Sequence, residues 1–357
     1  MYVNVLGRLS GADFLDLRDL EPDEVTALLD LATDIKSGRW REEPLAGRSV
    51  AILLQKPSIR TRVSFHIGIE RLGGRPITLH DSEVGLGTRE TPGDVARVLD
   101  RYVAGIVARL FSHDDLVELA TASQHPVINA LTDRSHPCQV LADLLTIREA
   151  VGRLDGSLRV AFVGDGNNVA ESLIEAARLV GFQLVVVAPP AYRPAPESHD
   201  GAHRVEVTGN LAAVEGADVV YTDVWTSMGQ ESQAGARRTA FAEYQVNEEL
   251  LELAPGAVFM HCLPAHRGEE VTAGVMDGPA SIVFDQAENR LWAQTALMAA
   301  VFAPKVVSAS LPTPTLAREG GGGSAPADVA PDGAARSSSA SPAATVPPEP
   351  AVGRDVP

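Results

Sequence analysis

The sequence is short of cysteine, short of positive charge and without a long apolar run, and each shortage narrows what the chain can be. Its two cysteines, Cys138 and Cys262, lie far apart. A disulfide framework or a cysteine-based zinc site is therefore not expected. Lys and Arg number 30 against 47 Asp and Glu, a formal net charge of −17. That balance disfavours non-specific binding to nucleic acid or to an anionic membrane. No apolar stretch reaches the roughly 20 residues of a membrane-spanning helix. The N-terminal residues also lack a basic segment followed by a hydrophobic one, so the cytoplasm is the expected compartment. What remains is 357 residues with 45% hydrophobic and 22% charged content, the profile of a soluble globular protein. At about 150 residues per domain, two domains with proper cores are expected. An acidic chain that binds an anion must gather its arginines in one place.

One stretch does so: Gln55-Lys56-Pro57-Ser58-Ile59-Arg60-Thr61-Arg62-Val63-Ser64-Phe65. The apolar run 50–54 before it reads as a buried parallel strand. Val63, Ile67, Ile69 and Leu72 after it are spaced for a helix that stops at Gly73-Gly74. Ser58 then falls at a strand-to-helix turn, because Pro57 discourages helix upstream of itself. A helix start offers free N–H groups and the positive end of its dipole to an anion. Ser58 and Thr61 add hydroxyls, and Arg60 and Arg62 add guanidinium groups suited to phosphate. Two arginines two apart cannot share a helix face, so one of them is expected to grip the ligand. The same cluster is also compatible with an ordinary solvated helix start capped by serine.

Upstream, from Asp16 to about Gly38, Leu20-Glu21-Pro22-Asp23-Glu24 starts an amphipathic docking helix, and 75–79 reads as a second strand. A polar loop, 81–92, precedes a helix over 93–102. Strand 105–109 ends in Arg109, and open α/β sheets place ligand groups at such carboxyl ends; alone, it reads more readily as a surface arginine. Strand 127–131 leads to His136-Pro137-Cys138-Gln139, where His136 and Gln139 are neighbours in the first turn of a helix. A boundary near 152–156 opens a second βαβ run: strand 158–163, the loop Gly164-Asp165-Gly166-Asn167-Asn168, a helix to about 180, and strand 184–188. A dinucleotide site is disfavoured there, since the third glycine is replaced by Val169-Ala170 and no acidic residue ends the second strand. Strand 217–222 precedes Asp223-Val224-Trp225-Thr226-Ser227-Met228-Gly229. Strand 258–260 precedes His261-Cys262-Leu263-Pro264-Ala265-His266-Arg267-Gly268-Glu269-Glu270, whose histidine spacing fits no zinc motif. The final helix starts at Asp285-Gln286-Ala287-Glu288-Asn289-Arg290. From about 311 the composition turns to Pro, Ala, Ser and Gly, a disordered tail.

Ser-x-Arg-Thr-Arg at 58–62, Arg109, His-Pro-x-Gln at 136–139, Asp-Gly-Asn-Asn at 165–168, Asp-x-x-x-Ser-Met-Gly at 223–229 and His-Cys-Leu-Pro at 261–264 together resemble the ornithine branch of the aspartate/ornithine carbamoyltransferase superfamily, over roughly residues 14 to 304. The resemblance implies an α/β enzyme with two doubly wound parallel-sheet domains facing a central cleft and joined by interdomain helices. Residues 1–150, completed by the C-terminal helix 286–305, would bind carbamoyl phosphate, 151–285 would bind ornithine, and 311–357 is the tail. The implied activity, part of arginine metabolism, makes citrulline and phosphate from carbamoyl phosphate and L-ornithine. It needs no metal and no organic cofactor. The resemblance assigns Ser58, Ile59, Arg60, Thr61, Arg109, His136, Gln139, Cys262, Leu263 and Arg290 to carbamoyl phosphate. It assigns Asn168, Asp223, Ser227 and Met228 to ornithine, and Arg60, Arg109, His136 and Cys262 to catalysis. A homotrimer or multiple of trimers is implied. The sequence departs from the family at Ile59, where a threonine is usual, and at Gly85, where a glutamine reaches a neighbouring subunit. A sister enzyme using putrescine, lysine or acetylornithine, or an inactive binding paralogue, would share most of these residues.

Overall fold

The computed structural model describes residues 5–227 and 229–304; Met228 and the segment 311–357 lie outside the described residues, as does the last residue expected for the C-terminal helix. Two parallel sheets organise the chain. Strands β1 (Ser49–Leu54), β2 (Arg75–His80), β3 (Ile106–Arg109) and β4 (Val127–Leu131) lie in the order β2-β1-β3-β4. Strands β5 (Arg159–Val163), β6 (Gln183–Val187), β7 (Val205–Thr208), β8 (Val219–Thr222) and β9 (Val258–His261) lie in the order β7-β6-β5-β8-β9. Every pairing between them is parallel. Strands buried on both faces read as continuous apolar runs, as β1 does from Val50 through Leu54.

Strand order reverses between β1 and β3 in the first lobe and between β5 and β8 in the second. Ligands of open α/β sheets bind outside the carboxyl ends of strands at such switch points. Here β1 leads to Ser58, β3 ends in Arg109, β5 leads to Asn168 and β8 leads to Asp223. Leu54 pairs with Arg109 in register, so the turn after β1 lies beside that guanidinium's strand end.

The terminal helix Val283–Val301 is buried along most of its length. It returns from the second lobe to pack on helices Pro22–Lys36, Ile59–Arg71 and Pro137–Val151. Gly68 permits the approach to helix Ile59–Arg71, because a Cβ there would stand 2.7 Å from Met298 Cε and 2.8 Å from Thr295 Oγ1.

Several of the described elements were not expected from the sequence, and four of them are informative. The loop after β2 contains one helical turn, Asp81–Val84, closed by Gly85 at φ 64. Four residues are too few to show a period, and the positive φ explains a glycine at 85. A Cβ at Gly85 would also meet Arg89 Cβ at 2.8 Å. Strand β7 is a short, half-exposed edge. Helix Ala234–Phe241 buries only Arg237 and Phe241, so it has almost no apolar stripe. Helix His113–Ala122, where no element was expected, buries Leu116, Leu119 and Ala120 at helical spacing.

Gly68→Leu should force the two helices apart. Overpacking of this kind costs about 1–3 kcal/mol, and the thermal midpoint should fall accordingly. An unchanged midpoint would show that the helices are free to separate.

Candidate active site

The first wall of the site is built at the amino end of helix Ile59–Arg71. Ser58 is extended (φ −159, ψ 112) and its hydroxyl oxygen accepts from Thr61 N as the helix cap. Arg60 follows in the first turn, half-buried, and its Nη2 donates to the Leu263 carbonyl at 2.7 Å. Arg62 is exposed and does not line the cavity. Arg290 arrives on the terminal helix and donates to Thr61 Oγ1 at 3.0 Å. Thr61 is fully buried and lies behind the cavity, holding that guanidinium. Ile59 exposes 68% of its surface at the cavity edge. His136 caps helix Pro137–Val151, with its backbone N–H donating to Ser172 Oγ at 2.8 Å. Gln139, one turn later, is buried outside the cavity wall.

These groups are crowded with like charge. Burial, then Arg290, pushes the Arg109 guanidinium down to about 10. Burial likewise lowers Arg60 and Arg290, and Arg60 depresses Arg290 further. His136 is held well below the usual histidine range, first by burial and then by Arg290 and Arg109, so its ring is neutral. Lys56 is lowered by burial and by Arg109, and its ammonium sits 4.7 Å over the Phe111 ring. Arg60 Nε, Arg109 Nε, His136 Nδ1 and Gln139 Oε1 are buried without hydrogen-bond partners. Buried polar groups normally have partners; here a cluster of them awaits one.

The opposite wall comes from the second lobe. The Asp223 carboxylate accepts from Asn167 Nδ2 at 2.7 Å, Val224 N at 2.8 Å and Cys262 Sγ at 3.0 Å. Cys262 is pushed well above the usual thiol range by burial and by Asp223, so it is a thiol. Asn168 opens helix Asn168–Val180 and donates to the Thr132 carbonyl at 2.6 Å across the lobes. Leu263 has φ 61, a left-handed conformation uncommon for a residue with a side chain. Its N–H donates to His261 Nδ1 at 2.9 Å, and its carbonyl meets Arg60.

Between the walls lies a cavity of about 790 Å³, lined by Ser58, Ile59, Arg60, Arg109, His136, Asn168, Asp223, Ser227, Cys262, Leu263 and Arg290. Of the expected site residues, Thr61 and Gln139 stand just behind it, and Met228 lies outside the described residues. Lys56, Glu231, Arg238 and Glu269 also line it without having been assigned a role. Lys56 was within reach of sequence reasoning, since it adjoins the Ser58 turn. Arg238 sits on a helix without an apolar signature, where no motif marked it.

Among the described residues, two clusters offer metal-ligating atoms within 4.8 Å of one another: Asp223, His261 and Cys262, and His266, Glu269 and Glu270. Their groups are engaged by hydrogen bonds and ion pairs within the protein. Cys262 donates to Asp223, His261 Nδ1 accepts from Leu263 N, Glu270 accepts from His266 N, and Glu269 pairs with Arg238 at 2.6 Å.

The arrangement defines a class: a two-lobed α/β enzyme that holds an anion on one wall and presents an acceptor from the other. Residues 12–149 match the family description "Aspartate/ornithine carbamoyltransferase, carbamoyl-P binding domain", and residues 156–301 match its "Asp/Orn binding domain". The chain belongs to the aspartate/ornithine carbamoyltransferase family. It is 52% identical to an ornithine carbamoyltransferase of Acidothermus cellulolyticus over 296 residues, covering 80% of this chain and 95% of the relative. It is 49% identical to that of Geobacillus stearothermophilus, covering 84% and 100%. The solved ornithine carbamoyltransferase of Pyrococcus furiosus superposes with a TM-score of 0.78 at 45% identity, covering 82% and 98% of the two chains.

A neutral buried His136 predicts a specific pH response. The unfolded chain takes up a proton near pH 6.5 that the folded ring refuses, so stability should fall as pH drops below about 6.5. Denaturant unfolding at about pH 7 and about pH 5.5 should show a smaller loss for His136→Gln than for the wild type. Equal losses in both would place the titration elsewhere.

Proposed function

We propose that this chain transfers the carbamoyl group of carbamoyl phosphate to the δ-amine of L-ornithine, giving L-citrulline and phosphate. The observation that carries the reading is the set of unpartnered buried nitrogens on Arg60, Arg109 and His136, gathered around one cavity. Its relatives' names and the two domain descriptions point the same way. Residues 1–150, completed by the helix proposed for 286–305, hold carbamoyl phosphate. Residues 151–285 hold ornithine.

In this reading the phosphate lies against the first turn after Ser58, with the N–H groups of Ile59 and its neighbours, the Ser58 hydroxyl, Arg60 and Arg290 around it. Thr61 acts through Arg290, which it anchors. Arg109 and the neutral His136 ring face the carbamoyl oxygen and stabilise the charge that develops on it. Gln139 and the Leu263 carbonyl face the carbamoyl NH2. Asp223, Asn168, Ser227 and Met228 hold the α-amino-acid end of ornithine. Cys262 lies beside the reacting amine. The neutral δ-amine attacks the carbamoyl carbon, the new C–N bond forms, the C–O bond to phosphate breaks, and the proton lost from the amine nitrogen ends on the released phosphate. Holding both substrates in line contributes several kcal/mol to the lowered barrier. No metal or organic cofactor takes part in these steps.

We further propose a homotrimer in the cytoplasm. Ile59, Val63 and Ile67 expose 68%, 42% and 37% of their surfaces at helical spacing, and β2 is a sheet edge; such a face supports association. Among the described residues, no helix is long and apolar enough to cross a membrane.

Phosphate release from carbamoyl phosphate, measured with ornithine, putrescine, lysine and acetylornithine as acceptors, tests the assignment; equal turnover of putrescine would move the chain to a sister activity. Arg60→Ala should lower kcat at least about tenfold, since a charged hydrogen bond contributes roughly 1.5–3 kcal/mol. Near-normal turnover at saturation would remove Arg60 from the reaction. Asp223→Asn should weaken ornithine while sparing carbamoyl phosphate, with a loss of about 3–5 kcal/mol for a broken buried charge pair. Equal damage to both substrates would place Asp223 outside the acceptor site.

A further inference from the structure

Asp143 lies one turn beyond Gln139 and is wholly buried. Its Oδ1 accepts from Gln139 Nε2 at 2.9 Å and from Gln286 Nε2 at 2.8 Å, and its Oδ2 accepts from the Tyr221 hydroxyl at 3.0 Å. Those donors come from its own helix, from the terminal helix and from β8 of the second lobe. A carboxamide has two ends of nearly equal shape, and its partners decide which way it points. An ionised carboxylate only accepts, so it claims the NH2 end of each glutamine. Gln139 Oε1 is consequently left buried and unpartnered, one turn from the unpartnered His136 Nδ1 of the cavity wall. Gln286 is turned in the same manner, and its Oε1 accepts from His261 N at 2.9 Å, immediately before Cys262 and Leu263.

We propose that Asp143 is a positioning residue: it fixes the Gln139 carboxamide with its oxygen toward the cleft, and so selects a ligand carrying an N–H donor there, the NH2 of a carbamoyl group. The inference rests on the carbamoyl-transfer reading above. A methyl group at the same place leaves the Gln139 oxygen without a partner, and a site built around a hydrogen bond rejects the analogue that lacks it. Asp143 is the right kind of group for the task. Burial pushes it up to about 6, while its hydrogen bonds and Arg290 hold it down. The ionisable groups that face it are Arg290, Tyr221 and Cys262, so it is charged at neutral pH.

The probe is acetyl phosphate, which has a methyl where carbamoyl phosphate has NH2. The readout is the ratio of its inhibition constant to the KM of carbamoyl phosphate. In Asp143→Asn the Gln139 amide is free to turn, and the ratio should fall by about tenfold or more, with ornithine KM little changed. Tyr221→Phe removes one donor from Asp143 but not the one from Gln139, so it should keep the wild-type ratio whatever it does to the thermal midpoint. A wild-type ratio in Asp143→Asn, or an equal fall in Tyr221→Phe, overturns the proposal. Should Asp143→Asn fail to fold, Gln139→Met, which lacks the acceptor, must lower the ratio in the same way; an unchanged ratio there overturns it equally. Citrulline formation by the wild type is read separately, so a failure of the transfer reading is not mistaken for a failure of this one.

Discussion

Like charges brought together out of water repel, and the site is built against that repulsion. Lys56 and Arg60 from one turn, and Arg109 and Arg290 from two distant segments, converge on one cavity. Arg60 and Arg290 are anchored by neutral acceptors, the Leu263 carbonyl and the Thr61 hydroxyl. Arg237, buried as Arg290 is, is instead matched to Asp165. Anchoring a guanidinium on neutral oxygen leaves its charge available to a ligand. On the proposed reading, a phosphate would supply the counter-charge that these neutral anchors do not, and its binding would relieve the mutual depression of these groups.

Such a cluster holds only if its segments are fixed from outside the cavity. The first-lobe helix start is set by Ser58 and the second-lobe one by Asn167, whose side chain accepts from Val169 and Ala170 N–H. Across the lobes, Asn168 donates to the Thr132 carbonyl and His136 N to Ser172 Oγ. These contacts lie beside the residues assigned to each substrate, so the two binding walls keep their spacing. Arg237 stacks over Tyr192 and Phe241 and grips the Trp225 carbonyl. It thereby ties the segment after Asp223 to its own lobe.

Much of this was legible in the sequence, for identifiable reasons. Strands buried on both faces, such as β1, leave continuous apolar runs, and Pro57, Pro137 and Gly152 punctuate the helices at their ends. The short motifs fall at strand ends, where a parallel sheet concentrates ligand groups. The illegible remainder depends on tertiary contact. Thr61 looked like a ligand hydroxyl, yet the pairing that buries it comes from Arg290, far away in the chain. Asp143 has no motif to mark it in the sequence, because its partners Tyr221 and Gln286 are brought in by the fold. Helix Ala234–Phe241 carries Arg238 to the cavity without an apolar stripe to betray it.

The return of the terminal helix to the first lobe also sets an order of events during synthesis. The Ser58 turn, Arg109 and His136 all leave the ribosome long before Arg290 does. A growing chain can thus form the first sheet while one guanidinium is still missing from its anion site. The final cation joins only when Val283–Val301 emerges and docks on three helices already made. Its electrostatic cost then falls on a nearly finished core rather than on a nascent one, and a chain halted before residue 283 lacks the side of the cavity that Arg290 lines.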